Sequence, residues 1–119
     1  MSDRQLLFVQ SRAPHGSLFG QEGLDAILMG SAFATCAVLM HGDGVYQLIR
    51  DQRSSGTSTR NYSVSYGALG DYGVETVFCV QEDLTERRLV VDDLVIPVTV
   101  VDRAAVASLL NDYNTILDF

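Results

Sequence analysis

The sequence contains no lysine, only two cysteines and no long apolar run, and each of these absences excludes a class of protein. All eight basic residues are arginines, scattered along 119 residues that carry a net charge of −7. Nucleic-acid binders need clustered basic side chains to neutralise phosphates, so we expect no direct contact with DNA or RNA. No apolar run approaches the ~20 residues that cross a bilayer, so we expect no membrane span.

The amino terminus and the two cysteines bear on the cellular compartment. From Arg4 the chain runs into a short apolar stretch at residues 6–9, which lacks the length and the cleavage site of a secretory signal peptide. Cys36 and Cys79 are too few for the disulfide framework of a small secreted domain. We therefore expect free thiols in a reducing cytoplasm.

Apolar runs and helical spacings alternate along the chain. Near-continuous apolar runs predict five strands, at residues 5–10, 36–41, 75–80, 95–101 and 114–119. Apolar residues three or four positions apart predict five helices, at residues 21–34, 45–52, 61–72, 83–88 and 102–111. Asp83 and Asp102 are the predicted caps of the last two helices. The pattern predicts one α/β domain over residues 1–119, a three-layer fold with a mostly parallel five-stranded sheet and helices on both faces.

The first predicted loop, residues 11–20, is rich in glycine and lies where parallel sheets meet their ligands. Gly16, Gly20 and Gly23 could bring a phosphate to a helix amino terminus. The spacing is G-x-x-x-G-x-x-G, which differs from the G-x-G-x-x-G of dinucleotide sites, and no G-K-[ST] occurs. We interpret these glycines as turn residues and expect no cofactor. A homo-oligomeric module that binds a small ligand is the alternative.

Two histidines and the tyrosines are candidates for contacts with other proteins. His15 in the first loop and His41 after the second strand could each serve as a base or a metal ligand. Neither Cys-x-x-Cys nor His-x-x-x-His spacing occurs, so we expect no metal site and interpret both histidines as loop or interface residues. A buried stripe is the default interpretation of the tyrosines, and a subunit contact is the second, because tyrosine is enriched at protein interfaces. The interface candidates are His15, Tyr46, Gln47, Tyr62 and Tyr66.

Cys79 is the one catalytic candidate. It lies near the carboxyl end of the third predicted strand, just before a short helix whose dipole would stabilise a thiolate that carries sulfur as a persulfide. Glu82, Asp83 and Glu86 follow closely, and their negative charge would raise the pKa of the thiol. We therefore favour a structural role within the strand, and a catalytic role is the alternative. Cys36 opens a buried strand and is predicted to be a core residue.

Five short motifs occur in order along the chain. They are APHG at 13–16, EGLDA at 22–26, DGVYQL at 43–48 followed by Gln52, L-x-E-R at 84–87, and L-x-F at 117–119. In this order and spacing they resemble the DsrF/TusC family of small sulfur-relay subunits, over essentially the whole chain. The segments at 69–72 and 92–95 are more similar to the DsrF branch than to the TusC branch.

The resemblance implies a DsrE/DsrF-like fold and a heterohexamer with two related small subunits, of the DsrE/TusD and DsrH/TusB types. In such complexes sulfur passes along cysteine persulfides to a downstream acceptor protein. The TusC branch serves 2-thiouridine synthesis at the tRNA wobble position, and the DsrF branch serves intracellular sulfur oxidation.

The sulfur-carrying cysteine of these complexes belongs to the DsrE/TusD-type sister, after its corresponding strand. Counting back from Leu84, the equivalent place here holds Val80, and Cys79 comes one residue early. Because side chains alternate between the faces of a strand, the thiol of Cys79 is expected to point the other way. The resemblance therefore implies an accessory, non-catalytic subunit, and the alternative is that Cys79 is itself a persulfide carrier.

Overall fold

The computed structural model describes residues 5–11, 19–32, 34–49, 66, 69–74 and 76–119, with the backbone alone at 19–22. Its strands are β1 (Gln5–Gln10), β2 (Thr35–Met40), β3 (Thr76–Val80), β4 (Thr99–Val101) and β5 (Thr115–Asp118). They form one sheet in the order β4-β3-β2-β1-β5, and each neighbouring pair is parallel. The predicted α/β fold with a five-stranded parallel sheet is confirmed.

The helices of the described chain are short apart from the first. The α-helices are α1 (Phe19–Gly30), α2 (Gln81–Glu86) and α3 (Val106–Asn111). The 3₁₀ helices are Gly42–Leu48, Leu69–Tyr72, Val91–Asp93 and Arg103–Ala105. No helix of the residues described is long and apolar enough to cross a membrane.

The strand order decides which face each connection covers. The chain steps in one direction from β1 to β4, so right-handed crossovers place the first three connections on the same face. It then returns across the sheet to β5, which places α3 on the opposite face. One face is therefore covered by several elements and the other mainly by α3.

Two hydrophobic clusters, one on each face, follow from this asymmetry. The larger cluster has fifteen buried residues and contains Phe8, Ile27 and Cys79. The smaller has five buried residues, including Val80, against which Leu110 of α3 and other partly buried side chains pack. Since neighbours in a strand face opposite ways, Cys79 and Val80 belong to different clusters.

The helix predicted at 45–52 is wrong over residues 45–49, and residues 50–52 lie outside the described part of the chain. The chain instead forms the 3₁₀ helix Gly42–Leu48, after which Ile49 pairs antiparallel with Leu94. The cause is a close approach that the local sequence does not reveal. A Cβ atom added at Gly44 would clash with the backbone carbonyl of Gln10, so the turn lies directly on the end of β1.

Several predicted boundaries also change. The strand predicted at 95–101 is shorter, because the backbone N–H of Val95 bonds the carbonyl of Leu48 at 2.7 Å and Pro97 has no N–H to donate. Asp83 is not a helix cap, since α2 begins at Gln81 and Val80 holds the capping position. Asp102 caps a 3₁₀ turn without a side-chain bond. Most of the helix predicted at 61–72 lies outside the described residues.

Candidate functional site

The thiol of Cys79 is sealed inside the larger cluster. The residue is 0% exposed and lies at the carboxyl end of β3, directly before Val80 and α2. Burial, followed by the negative charge of Asp83, raises the pKa of Cys79 to about 12. The thiolate that nucleophilic sulfur chemistry requires is therefore strongly disfavoured, and a protein partner has no direct access to the sulfur atom.

Cys36 is the other cysteine of the chain, and it is equally a core residue. It is 4% exposed at the start of β2, and its Sγ lies 3.6 Å from the carbonyl oxygen of Ala34 as a weak donor. Burial raises the pKa of this thiol as well. Both cysteines are free.

Val80 lies on the opposite face of β3 from Cys79, at an open cleft. The cleft has a volume of about 360 Å³ and is formed at the carboxyl edge of the sheet, between the ends of β2 and β3 and helix α3. Its lining residues are His41, Val80, Asp83, Arg103, Val106, Ala107 and Leu110. The place that the family resemblance assigns to a sister's sulfur carrier is thus held by an aliphatic side chain.

A buried carboxylate joins three chain segments at this edge. Asp83, whose side chain is 5% exposed, accepts a 2.7 Å hydrogen bond from the backbone N–H of Gly42, which follows β2. The guanidinium of Arg103, which follows β4, forms an ion pair and hydrogen bond with its other oxygen. Arg87 lies 3.6 Å from the same oxygen. One side chain therefore fixes the ends of β2, β3 and β4 relative to each other.

A second layer of charged contacts surrounds Asp83. Arg87 donates to Asp43 from Nη2 at 2.9 Å and from Nε at 3.1 Å, and its guanidinium lies 5.9 Å from the ring centre of Tyr46. The backbone N–H of Arg103 bonds Glu82 at 2.8 Å. Tyr46, an interface candidate from the sequence, is half-buried beneath this layer.

Two other predicted interface residues are in the interior. Gln47 and Tyr66 are 0% exposed, as is Gln10 at the end of β1. The amide of Gln10 donates to the Tyr66 hydroxyl at 3.0 Å, and this hydroxyl donates to Gln47 Oε1 at 2.8 Å. These contacts give Gln47 and Tyr66 a role in the core, since a buried polar group must find partners inside the protein.

Of the remaining candidates from the sequence, the structure describes His41, whereas His15 and Tyr62 lie outside the described residues. His41 is exposed and contributes to the cleft. Among the described residues no cluster of three or more His, Cys, Asp or Glu side chains could hold a metal ion.

Sequence reasoning missed Asp83 and Arg103 as partners. Their positions in the sequence could have indicated the contact, because Asp83 follows the carboxyl end of β3 and Arg103 follows that of its neighbour β4. Side chains there meet at one edge of a parallel sheet.

Comparison with known proteins identifies the family of this chain. The profile of the DsrE/DsrF-like family matches residues 4–119. The chain is 33% identical to the intracellular sulfur oxidation protein DsrF of Allochromatium vinosum, covering 98% of this chain and 96% of that protein. It is 35% identical to a TusC homolog of Vibrio vulnificus, covering 97% and 98%, and 36% identical to TusC of Buchnera aphidicola, covering 98% and 99%.

A solved structure shares the fold. The crystal structure of the ychN protein from E. coli superposes with a TM-score of 0.83 over 98% of this chain and 99% of that chain, at 17% identity. The match along the whole chain, together with the shared sheet, shows that the protein belongs to the DsrE/DsrF-like family.

Proposed function

We propose that this chain is a subunit of a multi-subunit sulfur-relay complex that carries no sulfur itself and instead shapes the surface on which carriers meet. The observation that supports this proposal most directly is the state of Cys79, fully buried with a pKa raised to about 12. The relatives named DsrF and TusC, one of them an intracellular sulfur oxidation protein, supply the sulfur context.

Sulfur passes between proteins when a thiolate attacks a persulfide or disulfide sulfur, so a carrier needs an ionised thiol that its partner reaches. Neither Cys79 nor Cys36 meets this requirement, and the chain has two cysteines in all. Val80, which faces the cleft, offers no nucleophile. The sulfur carriers are therefore assigned to other subunits.

The partners in this proposal are the DsrE/TusD-type and DsrH/TusB-type small subunits, in a heterohexamer, and a downstream sulfur acceptor protein. The complex works in a reducing cytoplasm, where thiols persist. Either tRNA thiolation or intracellular sulfur oxidation is served by the same arrangement of subunits. The neighbouring genes discriminate between these, because dissimilatory sulfite-reductase genes accompany sulfur oxidation.

A reconstituted complex tests the proposal. Sulfur transfer to the acceptor is measured with wild-type subunit and with the Cys36→Ser and Cys79→Ser variants. We expect an unchanged transfer rate, because neither thiol participates. A collapse of transfer in an intact complex would contradict the proposal.

Two controls make this result interpretable. Serine places a hydroxyl in an apolar site, so Cys79→Ala is assayed in parallel as a substitution that adds no polar group. Replacing the carrier cysteine of the DsrE/TusD-type sister must abolish transfer. Native mass spectrometry of each complex verifies that all three kinds of subunit are present in equal number.

A further inference from the structure

The cleft at the carboxyl edge has no assigned occupant, and it is lined by His41, Asp83 and Arg103 as well as by the aliphatic side chains of Val80, Val106, Ala107 and Leu110. Val80 is almost fully buried at its floor, and Val106 and Leu110 of α3 form a half-buried wall. Its volume of about 360 Å³ is comparable to small ligand-binding sites, which span ~300–1,000 Å³. Between β3 and α3 the lining is aliphatic and favours an apolar group, whereas its ionisable side chains follow the ends of β2, β3 and β4.

The surroundings of the cleft carry an excess of negative charge. Among the described residues, the charged cluster beside the cleft contains three ion-paired carboxylates, of Asp43, Asp83 and Glu86, and the carboxylate of Glu82, which accepts from the backbone N–H of Arg103. With the two guanidinium groups of Arg87 and Arg103, the four carboxylates leave a net charge of −2. The outer carboxylates face solvent, since the side chains of Asp43 and Glu86 are 58% and 60% exposed. The whole chain, at −7, adds to this field.

We propose that this cleft binds a basic segment of a partner protein, with an aliphatic side chain of the segment inserted between β3 and α3. Lysine or arginine residues that flank the inserted side chain then face Asp43 and Glu86. The proposal deepens the docking role argued above and rests on it, because it states which kind of protein surface this subunit recognises.

The placement of the charges favours a polypeptide over a small cation. Asp43 belongs to the 3₁₀ helix after β2 and Glu86 to the last turn of α2, whereas the apolar lining continues onto α3. Asp43 and Glu86 are not among the residues that line the cleft, so a ligand that meets these carboxylates as well as the aliphatic lining must extend beyond the mouth, as a polypeptide segment can. Charge complementarity of this kind also speeds encounter and sets the register of docking.

The test uses the full chain and two variants of equal charge on α3. Ala107 lines the cleft and is exposed, whereas its neighbour Ser108 is exposed but does not line it. A displayed library of random peptides is selected on the wild-type chain, and enriched peptides are synthesised for titration. We expect basic peptides with a central aliphatic residue, whose affinity falls at least about tenfold in Ala107→Arg and less than about threefold in Ser108→Arg.

A second pair of variants tests the charge independently of the cleft. Glu86→Gln is expected to weaken the selected peptide about threefold and to reduce the salt dependence of binding. Asp71→Asn, which removes the same charge at an exposed position in another 3₁₀ helix, is the control and should leave the affinity unchanged. Unfolding midpoints of all four variants show whether any loss reflects misfolding.

Three results would overturn the proposal. One is enrichment of no peptide or of acidic peptides. Another is equal binding by Ala107→Arg and Ser108→Arg, which would place the site elsewhere. The third is a peptide whose recognition does not depend on its aliphatic residue. It would be seen as unchanged affinity when that residue is replaced by serine, or as binding of free arginine amide with the same affinity as the peptide. These outcomes leave the sulfur-transfer test of the cysteine variants unaffected, so the two proposals fail separately.

Discussion

Replacing Asp83 removes a carboxylate that connects the ends of three strands. In Asp83→Ala the backbone N–H of Gly42 loses its 2.7 Å acceptor, and Arg87 and Arg103 lose the buried carboxylate that they share but keep their contacts with the exposed Glu86. In Asp83→Asn one amide oxygen remains as an acceptor for Gly42, but the charge is lost. Comparing the two variants separates the hydrogen bond from the ion pairs.

The magnitude follows from the exposure of the partners. Removing one member of a buried ion pair costs about 3–5 kcal/mol when the stranded charge has no access to water. Here the side chains of Arg87 and Arg103 are 19% and 52% exposed, so both recover part of their hydration. We therefore expect Asp83→Ala to lower the free energy of unfolding by about 2–3 kcal/mol, and Asp83→Asn by about 1–2 kcal/mol.

Urea denaturation of the purified chain measures both values, and the slope of the transition verifies that the unfolded reference is unchanged. Asp43→Ala is the control, because its ion pair with Arg87 is on the surface and should be worth less than about 1 kcal/mol. A loss of less than about 0.5 kcal/mol in Asp83→Ala would refute the idea that this carboxylate organises the edge. So would equal losses in Asp83→Ala and Asp43→Ala.

Two further predictions concern burial and backbone packing. The pKa of Cys79 rises from 9.0 to about 12 on folding, so the unfolded chain releases the thiol proton at a lower pH than the folded chain. The free energy of unfolding should therefore fall as the pH rises above 9.0, by up to about 1.4 kcal/mol per pH unit. Urea titrations between pH 8 and 10 should show this decline in wild-type but a shallower one in Cys79→Ala, and equal slopes would contradict it. Gly44→Ala should lower the free energy of unfolding by about 1–3 kcal/mol, seen as a lower urea midpoint, because the new Cβ atom would clash with the Gln10 carbonyl. Gly70→Ala is the control and should be nearly neutral, because the space around Gly70 is open. Similar midpoints for these two variants would disprove the close packing at Gly44.

The sequence predicted best those elements whose signal is local. The apolar runs that became β1, β2 and β3 were placed within about a residue of their ends, because strands covered on both faces have little choice of residue type. The sequence also predicted that Cys79 and Val80 point to opposite faces of the sheet, because side chains alternate between the two faces along a strand.

Elements set by distant contacts were not predictable from local patterns. Val45 and Leu48 fit an α-helix and a 3₁₀ helix equally well, and the pairing of the extended Ile49 with the distant Leu94 ends the helix. Asp83 resembled a helix cap because its partners, Gly42 and Arg103, are distant in sequence.

The buried polar network was missed for a similar reason. Tyr66 and Gln47 were interface candidates, with a buried tyrosine stripe as the default interpretation, and nothing in the sequence shows that Gln10 joins them inside the protein. Tertiary hydrogen bonds of this kind make polar side chains acceptable in a core.

The claim that this chain shapes a relay without carrying sulfur is tested most directly by sulfur loading. The assembled complex is incubated with a persulfide donor, digested under conditions that preserve persulfides, and examined by peptide mass spectrometry. The account predicts a sulfur adduct on the carrier cysteine of the DsrE/TusD-type subunit and none on Cys36 or Cys79. An adduct on Cys79 at a comparable fraction, formed in the folded complex, would contradict it.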